Sequence, residues 1–68
     1  MVATKVNVDA LVSSKRENGK TVGEILTELN YPTESLKNMY SFQQVLELDT
    51  IKNLLASQNT TMPIVTYQ

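Results

Sequence analysis

TVGEILTELNYPTESLKNM, residues 21 to 39, is the stretch on which the reading of the fold turns. Val22, Ile25, Leu26 and Leu29 recur at i, i+3, i+4 and i+7, laying one apolar stripe along a helix. Thr21 and Glu24 have capping-box spacing: the hydroxyl accepts a first-turn amide and the carboxylate reaches back to the cap. Asn30-Tyr31-Pro32-Thr33 then ends one helix and begins the next. Asn tolerates a left-handed cap, and Pro cannot continue the hydrogen-bond ladder. The spacing predicts a helix over 22–30 and a second starting at Thr33 or Glu34.

Upstream, Val2, Thr4, Val6 and Val8 alternate with Ala3, Lys5 and Asn7, a short β-branched strand pattern. Asp9 reads as the N-cap of a helix running to Asn18, where Asn18-Gly19 stops it. Its apolar face is thin, made of Ala10, Leu11 and Val12. Downstream, two apolar sets differ in phase at about 100° per residue: Phe42, Val45 and Leu46 on one side, Leu48, Ile51 and Leu55 on another. A break at Glu47 to Asp49 is therefore expected, with Asp49 capping a last helix from Thr50 to about Ser57. Ser57 to Met62 is polar, and Pro63 to Gln68 is a second short strand pattern. The two end segments are expected to fray, to pair with each other or to pair across a dimer.

The expectation is one small all-α domain of about four short helices with short strands at its ends. Its core would comprise Leu11, Ile25, Leu29, Leu36, Met39, Val45, Leu46, Ile51 and Leu55. Tyr40 and Phe42 beside Met39 read as core, with an exposed patch as the alternative. Sixty-eight residues support only a small core, so domains of this size often need a staple. The chain has neither Cys nor His, which excludes a disulfide and a thiolate or imidazole metal site. Tight packing or oligomerisation remains, and a homodimer is expected.

Six Lys/Arg against seven Asp/Glu exclude a basic coat over the whole surface but leave room for a local basic face. No apolar run approaches the ~20 residues of a membrane span and no signal-peptide pattern opens the chain, so a cytoplasmic protein without membrane contact is expected. The sequon Asn59-Thr60-Thr61 is accordingly read as coincidence. Gly19-Lys20-Thr21 is not a phosphate loop, because Ser14 stands where that motif needs its first Gly. Without His, Cys or a nucleophile beside a base, neither catalysis nor a cofactor is expected.

The apolar pattern resembles the helix-turn-helix of phage-type repressors over about half the chain. Ile25 and Leu29 match the inward positions of its first helix, Tyr31 the apolar turn position, and Leu36 and Met39 the inward positions of the recognition helix. Leu48 to Leu55 resembles the helix that follows. Leu26 stands where the family carries a small residue, and Asn30 where its turn has Gly.

The resemblance implies a DNA-binding regulator with Thr33, Glu34, Lys37, Asn38 and Ser41 exposed to the major groove. Lys37 would meet a guanine edge or a phosphate and Asn38 an adenine, while Lys15, Arg16 and Lys20 would hold the backbone. The alternative is a protein-binding adaptor, inhibitor or assembly component of phage or plasmid type, with the apolar ends as contact surface. What discriminates them is whether Lys15, Arg16, Lys20 and Lys37 gather beside Asn38 or lie scattered among carboxylates.

Overall fold

The computed structural model describes residues 4–68. Four helices follow one another: α1 (Val8–Ser13), α2 (Val22–Glu28), α3 (Thr33–Lys37) and α4 (Ser41–Ser57). Their core is Val6, Val8, Leu11, Val22, Ile25, Leu26, Leu36, Ile51 and Leu55, all nearly inaccessible to solvent. The all-α expectation holds.

At the start of α2 the Thr21 hydroxyl accepts the Glu24 amide at 3.2 Å. The Glu24 carboxylate in turn accepts the Thr21 amide at 2.9 Å, so two orphan donors of the first turn are satisfied together. Val22, Ile25 and Leu26 are buried as the stripe predicts, with Leu29 half-buried at the C-cap. Asn30 adopts φ 61°, the left-handed position its side chain tolerates. The Tyr31 amide then returns to the Leu26 carbonyl at 2.8 Å and closes the helix end.

The first helix differs from expectation. Its N-cap is Asn7, whose side chain accepts from the Ala10 amide, and it ends at Ser13 instead of Asn18. Beyond Val12 the sequence offers Ser-Ser-Lys-Arg-Glu-Asn, with no apolar side chain to hold another turn on the core. The chain opens instead into a loop in which Lys15 bridges Thr21 and the Arg16 amide bonds the Lys20 carbonyl. Gly19 supplies the tight reversal at φ 85°.

The predicted break at Glu47 to Asp49 is absent. Helix α4 is continuous over 17 residues, Asp49 lies in its interior, and Val45 and Leu46 are exposed rather than core. The inward stripe of α4 is Gln44, Leu48, Ile51 and Leu55, spaced i, i+4, i+7 and i+11, with Gln44 at 1% exposure. Both apolar phases belong to this one helix: Leu48, Ile51 and Leu55 turn inward with Gln44, and Phe42, Val45 and Leu46 turn outward. The interruption falls earlier, at Asn38 to Tyr40, where the Asn38 amide caps α3 and the Gln43 side chain accepts the Tyr40 amide to start α4. Met39, expected in the core, is half-buried there.

The ends pair with each other within the chain. Val6 and Tyr67 form an antiparallel bridge, the Asn7 amide donating to Thr66 and the Gln68 amide to Lys5. This is one bridge, not two strands; the start of the expected first strand, Val2 and Ala3, lies outside the described residues. Val6 and Val8 are buried here, the Val6 amide bonding Gln44 of α4, and the amphipathic reading of the helices alone left both out of the core.

Candidate interaction surfaces

Helices α2 and α3 with the turn between them keep the order of a helix-turn-helix, but α3 has only five residues. Thr33 to Lys37 lie on it, Asn38 is its C-cap, and Ser41 opens α4, so the expected reading helix from Thr33 to Ser41 is two helices. Glu34, Lys37 and Asn38 are exposed, and Thr33 and Ser41 half-buried. Leu26 is fully buried in α2. The close helix crossing that needs a small residue involves α1 instead: a Cβ on Gly23 would lie 3.1 Å from the Val12 carbonyl oxygen.

Each of three expected DNA-contacting cations has a carboxylate partner. Lys20 Nζ sits 2.7 Å from Glu28 Oε2, Lys37 Nζ 3.0 Å from Asp9 Oδ1, and Arg16 Nη2 3.2 Å from Glu17 Oε1. Hydrogen bonding to Asp9, with its charge and that of Glu34, holds the Lys37 ammonium above the usual lysine value. Exposed pairs of this kind stabilise little, but they cancel the local positive field that a phosphate would meet. Arg16 is further engaged: Nη1 donates to Ser14 Oγ at 3.0 Å and Nη2 to Thr61 Oγ1 at 3.0 Å. It ties the 14–21 loop to the C-terminal segment. Lys15 is exposed on that loop.

Glu17 completes this tie. Its carboxylate accepts the Thr61 hydroxyl at 2.6 Å and the Thr61 amide at 3.1 Å, which lowers its pKa below the usual carboxylate range. On the other side of the molecule the Tyr31 hydroxyl donates to Glu47 Oε1 at 2.8 Å, locking the α2–α3 turn onto α4.

The first turns of α4 carry a different chemistry. Tyr40, Phe42, Val45 and Leu46 are 72%, 65%, 49% and 69% exposed. The Tyr40 and Phe42 rings stack with centroids 6.0 Å apart and planes 5° from parallel. Phe42, Val45 and Leu46 share the face opposite the Gln44–Leu55 stripe, and no residue from Asn38 to Leu46 is charged. Monomeric proteins rarely expose such contiguous apolar side chains without use. Their apolar character drew them into the expected core, and no local signal in the sequence says that they face outward together.

The fold and these surfaces define a small all-α domain with an exposed apolar helix face. Comparison with family models, curated proteins and solved structures finds no match to the chain. Among the described residues no helix is long and apolar enough to cross a membrane.

Proposed function

We propose that this domain is a non-catalytic protein-binding module whose contact surface is the start of α4. The observation that carries the reading is the uncharged cluster Tyr40, Phe42, Val45 and Leu46, displayed on a helix that its opposite face fixes to the core. A rigid aromatic pair beside aliphatic side chains is the composition of an interface centre. Support also comes from Arg16, Lys20 and Lys37, each of which is paired with a carboxylate, of Glu17, Glu28 and Asp9 respectively. The contact surface proposed is thus α4, in preference to the chain ends.

A second reading, duplex DNA binding, draws on one observation: Glu34, Lys37 and Asn38 stand exposed at α3. One comparison separates the two. Wild type, Leu46→Asp and a Lys37→Ala/Asn38→Ala double variant are used as baits for protein capture and titrated with random duplex DNA at ~50 mM salt, where electrostatic binding is strong. The protein-binding reading expects no duplex binding, and a captured protein lost by Leu46→Asp but kept by the double variant. Duplex binding that the double variant loses would replace it with the DNA reading.

A further inference from the structure

We propose that a second copy of this chain covers the start of α4, the two α4 helices packing antiparallel about a two-fold axis between Gln44 and Val45. This rests on the protein-binding reading and names the partner.

Charge is the first argument. A two-fold interface sets a patch against itself, so a charge close to the axis would meet its own copy. The face has none from Asn38 to Leu46, which suits self-pairing and offers nothing for a charged partner to recognise. About such an axis Phe42 lies level with Leu46 of the partner subunit, and Val45 with Val45 of the partner subunit, within one residue's rise of ~1.5 Å. Asp49, the first charge along that face, comes level with Tyr40 of the partner subunit, whose hydroxyl can donate to it.

Area is the second. An aromatic side chain offers on the order of 200 Å². At 72% and 65% exposure, Tyr40 and Phe42 together present on the order of 250 Å² per copy on that scale. Val45 and Leu46 enlarge this apolar patch, and the exposed side chains of Gln43, Asp49 and Asn53 border it. A stable interface takes about 800 Å² from each side with its most apolar part at the centre; the aromatic pair supplies about a third of that, and the bordering side chains would have to supply the rest. Self-association also gives a chain without Cys or His the additional burial that a small domain needs.

Sedimentation equilibrium from about 10 μM to about 1 mM protein tests the proposal over the range of a micromolar dimer. Wild type is expected to reach dimer mass. Leu46→Asp is expected to raise the dissociation constant at least about 100-fold, because its carboxylate would have to be desolvated in the apolar centre. Phe42→Asp should do the same, and both should keep the wild-type far-ultraviolet circular dichroism, since neither side chain lies in the core. Ile64→Asp, at the exposed C-terminal segment, should leave the dimer intact. A dimer lost with Ile64→Asp and kept by Leu46→Asp overturns the proposal. A monomeric wild type that still captures a partner through Leu46 overturns the second copy and leaves the protein-binding reading standing. A monomeric wild type that captures nothing overturns both.

Discussion

The side chain of Gln44 in α4 accepts the backbone amide of Val6 at 2.8 Å, 38 residues away in sequence. Its other end donates to the Leu36 carbonyl at 2.9 Å. One buried carboxamide thus satisfies a donor of the N-terminal segment and an acceptor at the end of α3, and it places both on the central helix. Amide chemistry is required, since the site needs one acceptor and one donor at opposite ends of a planar group.

Gln44→Leu should therefore cost about 2–4 kcal/mol, two buried backbone groups losing their partners. A urea titration reads this as a large fall in midpoint. Gln44→Glu should make stability depend on pH. Burial and the Leu36 carbonyl favour the protonated acid, so its folded pKa lies above the unfolded value near 4.3. Stability is then greatest below that value and is lost as pH rises through the folded pKa. A variant whose stability difference from wild type is the same at pH 4 and pH 7 would contradict the geometry.

Thr21→Ala should cost about 1 kcal/mol, the usual loss for an N-cap side chain. The companion effect is acid sensitivity. Hydrogen bonds from Thr21 lower the Glu24 pKa, and hydrogen bonds from Thr61 lower that of Glu17. Folded values below the ordinary 4.5 mean stability present above about that pH and lost as pH falls through the folded values. Melting temperature should drop on acidification below pH 4.5, and drop less in a Glu17→Gln/Glu24→Gln variant.

Tyr31→Phe should destabilise by about 1 kcal/mol, the hydrogen bond to Glu47 being half-exposed. Burial first, then the bond to Glu47 and its charge, push the Tyr31 phenol well above its ordinary value of 10.0. The stabilisation it provides is present below pH 10 and fades as pH rises beyond it. In an ultraviolet titration of tyrosinate, Tyr31→Phe should remove the transition that lies above the ordinary tyrosine range.

Gly23→Val should destabilise by at least about 1–3 kcal/mol, as overpacking a tight contact does. Its Cβ would stand 3.1 Å from the Val12 carbonyl and 3.2 Å from the Val12 Cβ, and backbone cannot swing aside as a side chain can. Gly19→Ala meets open space yet should cost about 1 kcal/mol, because a Cβ disfavours φ 85°. Thermal denaturation of the two variants separates crowding from backbone strain.

Local signals made α2 legible. A cap, a 3.6-residue stripe and an Asn stop act within one helix, so the 21–33 segment could be read without its neighbours. Lys20 and Lys37 had no such signal. Whether a lysine faces phosphate or a carboxylate depends on where Glu28 and Asp9 come to lie, and for Lys37 that partner is 28 residues distant. The apolar surface was legible only in part. Val45 and Leu46 are recognisably apolar, but which face of α4 turns inward is decided by its neighbours.

By itself the sequence determined the helical class, the capping box of α2, the left-handed Asn30 and the exclusion of disulfide and imidazole or thiolate metal chemistry. Each follows from residue type or from spacing within a turn or two. Only the tertiary structure decided that α1 stops at Ser13, that α4 runs unbroken and that Val6 joins the core. These hinge on groups far apart in the chain. Gln44 reads as a surface residue until Val6 and Leu36 bring it a donor and an acceptor; once it is satisfied, burying it costs little, and Phe42, Val45 and Leu46 turn outward.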